Sequence, residues 1–65
     1  MTKLHYVLKQ RQLTGKRFAQ MCGMSRSSIY KYLSGNRTLS LKTARKLAYV
    51  LGVEAEELVG LMPER

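Results

Sequence analysis

Acidic residues are almost missing from this 65-residue chain, and the few present lie near its end. There is no Asp, and the 4 Glu residues all lie at Glu54 or beyond, whereas every Lys and Arg except Arg65 lies in 1–53. Repulsion between like charges opposes folding, so stability gives no reason to omit acids from most of a domain. An anionic polymer such as nucleic acid is the natural counterpart, and the alternative is a basic protein whose charges are merely solvated.

Cysteine is scarce, and long apolar runs are missing. Cys22 is the only cysteine, so no internal disulfide can form. No apolar run approaches the roughly 18 residues that a membrane span needs, and the N-terminal apolar stretch is too short for a signal peptide. These absences favour a reducing cytosol, in which Cys22 is a small core residue rather than a reactive thiol.

Groups that perform catalysis or bind metals are also scarce. His5 is the only histidine, and it has no second ligand or carboxylate nearby in the sequence. No glycine-rich phosphate loop occurs, and no pair of acids lies in the part of the chain predicted to fold as the core. We therefore expect no enzyme activity, no metal site and no cofactor.

The apolar residues recur at helical spacing, and no strand pattern is present. Each of the first four periodic stretches follows a hydroxyl residue that can cap a helix, namely Thr2, Thr14, Ser25 and Ser40. Glycines follow several of the stretches, which predicts caps at the other ends. At 65 residues the core is thin, since such a chain buries only about 60% of its unfolded surface. We predict a single all-α domain over residues 1–65, with five helices at 3–12, 15–22, 26–34, 41–51 and 54–61.

The stretch 18–35 organises the chain as two short helices joined by a tight turn. Gly23 can end the first helix in the left-handed conformation, and Ser25 can cap the second. Met24 and Ile29 occupy the two positions of a hydrophobic staple, which sets the angle of entry. The outer face of the second helix is basic and rich in hydroxyls, as a helix in the DNA major groove needs to be, and comprises Arg26, Ser27, Tyr30, Lys31 and Ser34.

Two cations, Lys16 and Arg17, lie in the first turn of the helix predicted at 15–22. There they oppose the helix dipole, each at a cost of about 0.3–1 kcal/mol at the surface. A phosphate bound at this helix N-terminus removes that cost. Simple solvation of both side chains is the alternative.

The order and spacing of several residues make the chain resemble the phage Cro/repressor helix-turn-helix family, also called lambda-repressor-like or xenobiotic-response-element-like. The resemblance covers about 8–59. Its markers are Leu13-Thr14, Phe18-Ala19, Gly23, Ser25, Ile29, Gly35, Leu41 and Leu51-Gly52-Val53. It implies a compact five-helix domain, bacterial or phage-encoded and associated with the nucleoid. It also implies sequence-specific binding of double-stranded DNA, as a transcriptional regulator and most often a repressor.

The resemblance also implies which residues contact DNA. Arg26 and Ser27 match the leading base-contacting pair, Lys31 matches the base contact one turn later, and Tyr30 lies between them and faces backbone or base. The matching phosphate contacts are Thr14, the amides of Gly15 and Lys16, then Ser34, Asn36 and Arg37, to which the dipole argument adds Arg17.

Two positions depart from the family pattern. Many members have Gln at the position of Gly15, where it braces a groove-contacting side chain and a phosphate, and Gly15 keeps only its amide. Many members also pair an Arg on the first helix with a Glu at the end of the third. Those positions are Leu8 and Leu33 here, a matched apolar replacement of a kind that is often neutral or stabilising. We therefore predict that Leu8 contacts Leu33.

The family implies a homodimer on a palindromic operator, and Val59, Leu61 and Met62 are the candidate dimer surface. The same three residues could instead cover the core. A protein-binding module, antitoxin-like and using the C-terminal region, is an alternative function, although it leaves the acid-free residues 1–53 unexplained. RNA binding through the tyrosines is a third, but RNA modules stack bases on sheets or loops. No small-molecule ligand and no membrane partner is expected.

Overall fold

The computed structural model describes residues 1–62, in which four α-helices are followed by a single 3₁₀ turn. The elements are α1 (Lys3–Gln10), α2 (Gly15–Cys22), α3 (Arg26–Ser34), α4 (Leu41–Leu51) and the 3₁₀ turn Ala55–Glu57. No β-strand occurs in this part of the chain, where the only β pairing is an isolated bridge between Thr2 and Leu61. None of its helices combines the length and hydropathy needed to cross a membrane. The all-α prediction is therefore confirmed.

Local capping explains where the helices begin. In each α-helix the hydroxyl of the preceding residue accepts a hydrogen bond from the backbone N–H three residues later, which satisfies one of the unpaired amides of the first turn. The four caps are Thr2, Thr14, Ser25 and Ser40. At the other ends, Gly23, Gly35 and Gly52 adopt the left-handed conformation. The predicted bounds of α2, α3 and α4 are confirmed residue for residue.

The first helix is shorter than predicted, because α1 ends at Gln10 rather than near Gln12. Gln12 has a φ of 57°, which is left-handed and rare for a residue with a side chain. The amide of Leu13 then donates to the carbonyl of Leu8 at 2.9 Å, the long hydrogen bond that closes a Schellman turn. Gln12 therefore takes the place that glycine takes at the other helix ends.

The prediction of a fifth α-helix at 54–61 is wrong, because the tail pairs with the start of the chain instead. The carbonyl of Gly60 accepts from the amide of Lys3 at 3.0 Å, which satisfies one of the unpaired first-turn amides of α1. Gly60 itself is left-handed, with a φ of 97°. An isolated helix of eight residues is marginal, and an internal glycine weakens it further. Only the 3₁₀ turn Ala55–Glu57 remains, and the five-helix count is not confirmed.

One hydrophobic core joins the four helices and the tail. Its side chains with almost no exposed surface are Leu4, Leu8, Phe18, Ile29, Leu47 and Leu58. Leu33 belongs to the same cluster as Leu8, at the place where α1 packs against α3. In many family members these two positions hold an ion pair, whereas here both residues are apolar and buried.

Thr2 links the start of α1 to the end of α3. Its hydroxyl caps α1 by accepting from the amide of His5 at 3.2 Å. The same hydroxyl donates to the carbonyl of Leu33 at 2.9 Å, in a buried hydrogen bond. A carbonyl in the last turn of a helix has no partner within the helix. The Thr2 hydroxyl therefore satisfies an unpaired amide of α1 and an unpaired carbonyl of α3.

Candidate nucleic-acid interface

The turn between α2 and α3 is built from local hydrogen bonds and two apolar side chains. Gly23, with a φ of 68°, ends α2, and the amide of Met24 donates to the carbonyl of Ala19 at 3.0 Å. Ser25 immediately caps α3, accepting from the amide of Ser28 at 3.2 Å. Met24 packs against the core that contains Ile29, as a hydrophobic staple requires. The two helices are thus held at a defined angle.

The outer face of α3 is free of core contacts. Ile29 and Leu33 are its buried residues. At about 100° per residue, Ser27, Lys31 and Ser34 lie on the side opposite to them. All the residues predicted to form this face are exposed, namely Arg26, Ser27, Tyr30, Lys31 and Ser34.

Arg26 and Tyr30 occupy a flank of α3 rather than the middle of its outer face. They are one turn apart on the same side of the helix as Leu33. That side faces the N-terminus of α2, because the closest neighbours of Gly15 are atoms of Tyr30 and Leu33. The exposed surface of α3 is therefore continuous with the start of α2.

The N-terminus of α2 presents donors that the helix does not use. Thr14 accepts from the amide of Arg17 at 3.1 Å, which leaves the proton of its own hydroxyl available. The amides of Gly15 and Lys16, in the first turn of α2, have no acceptor within the helix. The side chains of Lys16 and Arg17 are exposed. Amides, hydroxyl and cations at one helix end are the groups that bind an anion.

Gly15 is buried, and sequence reasoning missed the reason. It had suggested only that Gly15 lacks the side chain found in many family members. In the structure, a Cβ atom at this position would lie 2.8 Å from Cζ of Tyr30. The tyrosine ring therefore occupies the space that a side chain at position 15 would need. No pattern in the sequence relates these two positions.

The loop after α3 is held by its own hydrogen bonds. The hydroxyl of Ser34 donates to the carbonyl of Lys31 at 3.2 Å and accepts from the amide of Asn36 at 3.4 Å. The amide of Arg37 donates to the same Lys31 carbonyl at 3.2 Å. The Arg37 guanidinium lies 5.9 Å from the centre of the Tyr32 ring, within cation–π range. The side chains of Asn36 and Arg37 stay exposed, whereas the only proton of the Ser34 hydroxyl is engaged within the loop.

The acids within residues 1–62 lie in a different part of the molecule from α2 and α3. Glu54, Glu56 and Glu57 belong to the 3₁₀ segment, which packs against α4. All three line a surface groove whose other wall is formed by α1. The carboxylates therefore border α1 and the end of α4.

Cys22 and His5 occupy different environments in the structure. Cys22 is buried, and burial raises the pKa of its thiol, an effect that the positive charge of Lys46 partly offsets. His5 is half-buried on α1. Among residues 1–62, no three His, Cys, Asp or Glu side chains are grouped so that they could hold a metal ion.

The predicted dimer surface is largely exposed. The exposed fraction is 39% for Val59 and 68% for Leu61, whereas Met62 is half-buried. The neighbouring Leu58 is 2% exposed and belongs to the core. The tail therefore uses one of its apolar residues to close the core and leaves others at the surface.

Comparison with known proteins agrees with this geometry. A family profile described as helix-turn-helix matches residues 4–58, which includes all four helices apart from the first residue of α1. A search of curated proteins and a search of solved structures each found no significant match. The matched range covers most of the 65 residues. The chain belongs to the Cro/C1-type, or lambda-repressor-like, helix-turn-helix family of DNA-binding regulators.

Proposed function

We propose that the chain is a sequence-specific transcriptional repressor that places α3 in the major groove of double-stranded DNA. One observation carries this proposal. The exposed face of α3 bears Arg26, Ser27 and Lys31, and it adjoins the unused amides at the start of α2. A helix of this kind contacts bases while the neighbouring helix N-terminus contacts the sugar–phosphate backbone.

Within this proposal, Arg26 contributes most of the base discrimination. Its guanidinium can donate to both O6 and N7 of guanine, a pairing worth about 1–3 kcal/mol of discrimination. Lys31, one turn further along, also favours guanine acceptors. Ser27 can donate or accept and discriminates little. We expect at least one G·C pair within reach of Arg26 in each half-site.

The phosphate contacts come from both ends of the helix pair. At the start of α2 these are the hydroxyl of Thr14, the amides of Gly15 and Lys16, and the side chains of Lys16 and Arg17. After α3 they are Asn36 and Arg37. The hydroxyl of Ser34 donates its proton to the Lys31 carbonyl and so supports the loop. It contacts a phosphate only if that one proton is shared between the carbonyl and the phosphate.

We further propose that the functional unit on DNA is a homodimer bound to a palindromic operator. Two copies of α3 about 34–36 Å apart would enter successive major grooves. A single small domain gives an interface at the low end for specific binding. The exposed Val59 and Leu61, with Met62, are the surface proposed for dimer contact.

The test is to select bound duplexes from a random pool and to measure binding of the selected sequence. We expect a selected site with two-fold symmetry, and a gel shift that duplex competitor removes better than single-stranded DNA or RNA. A pool that yields no preferred sequence would contradict sequence-specific binding. Preferential competition by RNA would favour RNA binding as the function.

Arg37→Ala separates phosphate contacts from base contacts. Because Arg37 follows α3 and is exposed, its loss is expected to weaken binding to every duplex alike. The slope of log affinity against log salt concentration is expected to fall by about 1. A change of sequence preference in this variant would place Arg37 on a base instead.

Sedimentation of Leu61→Glu against the parent protein tests the dimer. A charge at an exposed position leaves the fold intact but opposes association if that surface is buried in the dimer. We expect the parent to associate, alone or on its operator, and the variant to sediment as a monomer under the same conditions. Equal sedimentation of the two proteins would exclude this surface.

A further inference from the structure

Gly15 is buried at the first position of α2, where two side chains of α3 surround it. A Cβ atom built there would lie 2.8 Å from Cζ of Tyr30, 2.9 Å from Cε1 of the same ring and 3.2 Å from Cδ1 of Leu33. The first two distances are under 3.0 Å, which Cβ atoms in real proteins essentially never show. Any larger residue at position 15 must therefore displace the tyrosine ring.

Backbone geometry does not explain this glycine. Gly23 and Gly35 adopt left-handed angles that a side chain would resist, and a Cβ at Gly23 would meet nothing within 4 Å. Gly15 has the ordinary conformation of an α-helix, in which glycine is about 1 kcal/mol worse than alanine. Glycine is needed at position 15 because the Tyr30 ring occupies the space in which a side chain would lie.

One part of the Tyr30 side chain packs against Gly15, and the rest is exposed to solvent. Half of its surface is exposed, although it lies on a helix flank that touches α2. The Cζ atom that meets Gly15 also carries the phenolic oxygen. The ring therefore reaches from α3 to the helix end that presents the unused amides, and its contact with Gly15 joins the two helices.

We propose that Tyr30 is a positioning residue, whose ring packs against Gly15 and holds the exposed face of α3 in a fixed position relative to the phosphate-binding end of α2. This inference rests on the proposed function. It replaces the role of base contact that the sequence suggested for Tyr30. In this arrangement the ring ties the groups on α3 to the groups on α2, so that both sets reach one DNA duplex together.

A double-mutant cycle on duplex affinity tests the proposal. The four proteins are the parent, Gly15→Ala, Tyr30→Ala and the double variant, measured on the selected operator at one salt concentration. We expect Gly15→Ala to weaken binding about fivefold to tenfold in the parent and less than about twofold when Tyr30 is already alanine. An equal loss in both backgrounds would overturn the proposal. Tyr49→Ala, at a tyrosine of α4 that is 89% exposed, is the matched control and is expected to leave affinity unchanged.

The pattern of sequence preference separates positioning from base contact. If Tyr30 positions α3, Tyr30→Ala weakens discrimination at all base pairs contacted by that helix, and Tyr30→Phe restores most of it because the ring remains. If Tyr30→Ala instead relaxes the preference at a single base pair and leaves the others intact, Tyr30 is a base contact and the proposal is wrong.

A measurement on the parent protein keeps the proposal testable even if a variant fails to fold. Nuclear Overhauser effects between the α protons of Gly15 and the ring protons of Tyr30 are expected, because the ring lies within van der Waals distance of that carbon. Their absence would overturn the packing itself. Parent binding to the selected duplex is measured first, so a parent that binds no duplex reveals a failure of the proposed function, whereas a binding parent without coupling reveals a failure of this inference alone.

Discussion

Helices α3 and α4 begin and end in the same way but are held by different amounts of core. Both start after a serine whose hydroxyl accepts from the amide three residues later, and both end at a left-handed glycine. The buried residues of α4 are Ala44, Leu47, Ala48 and Leu51, whereas α3 buries only Ile29 and Leu33. The caps define where each helix lies in the sequence, and the core determines how much of each helix is buried.

Positive charge does not distinguish the two helices. Lys42, Arg45 and Lys46 are exposed on α4, just as Arg26 and Lys31 are exposed on α3. The difference lies in the neighbours, because α3 packs against α2 beside that helix's unused amides, whereas α4 ends against the acidic 3₁₀ segment. A cluster of cations is thus a weak guide to a DNA-binding face unless its surroundings are known.

The largest effect expected from this comparison is on stability. Leu47→Ala removes a side chain with no exposed surface from α4 and is expected to lower the free energy of unfolding by about 2–5 kcal/mol. Leu33→Ala on α3, where the side chain is 8% exposed, is expected to cost less. Denaturant unfolding followed by circular dichroism measures both. A greater loss at Leu33 would reverse the view that α4 is the main scaffold.

The next effect concerns DNA binding and uses one arginine from each helix. Arg26→Ala is expected to cost about 1–3 kcal/mol of binding free energy on the preferred duplex and to relax the preference at one G·C pair. Arg45→Ala, which removes the same charge from α4, is expected to leave sequence preference unchanged. Titration of both variants against a set of single-base-pair substitutions of the selected duplex checks this. Uniform weakening of all duplexes by Arg26→Ala would make Arg26 a phosphate contact.

Loss of either serine cap is expected to lower the free energy of unfolding by a smaller amount, and by the same amount at both positions. The hydroxyls of Ser25 and Ser40 each accept from an amide at 3.2 Å and each donate to a hydroxyl oxygen at 3.0 Å. Alanine at either position is therefore expected to lower the free energy of unfolding by about 1 kcal/mol. Thermal unfolding of the pair measures the difference. Costs that differ by more than twofold would mean that the caps are not equivalent despite their shared geometry.

The smallest effect extends the comparison to α1, which ends without a glycine. Gln12 has a φ of 57°, so Gln12→Gly relieves an unfavourable backbone conformation and is expected to stabilise the protein by about 0.5–1 kcal/mol. Gln10→Gly, at the last residue of the same helix, is the control and is expected to destabilise the protein, because it also removes the hydrogen bond from the Gln10 side-chain amide to the Tyr6 hydroxyl. A rise in the midpoint of denaturation for Gln12→Gly alone is the expected result, and a fall would contradict the assignment of strain to Gln12.

The parts of the fold that depend on neighbouring residues could be predicted from the sequence. Thr14, Ser25 and Ser40 act on amides three residues away, and Gly23 and Gly52 end the helices that precede them, so the bounds of α2, α3 and α4 follow from local chemistry. The exposure of Arg26 and Lys31 followed in the same way from the spacing of Ile29 and Leu33. Their contacts with DNA remain predictions.

The parts that depend on distant residues could not be predicted. The fifth helix was wrong because Gly60 pairs with Lys3, at the other end of the chain. The role of Gly15 was missed because the ring that fills its space comes from α3. The hydroxyl of Thr2 ahead of the first helical stretch predicts a cap, but its second hydrogen bond, to Leu33, depends on the packing of α1 on α3. In each case the missing information was which segments of the chain meet in space.

The double role of Thr2 has a consequence for genetics. Its hydroxyl supports the last turn of α3 from inside the protein, at the opposite end of that helix from Arg26. Under the proposed function, substitutions of Thr2 would loosen α3, the helix proposed to enter the major groove, and would be isolated as loss-of-binding alleles. A screen for such alleles would then list among the apparent DNA contacts a residue whose side chain is buried and hydrogen-bonded to the Leu33 carbonyl.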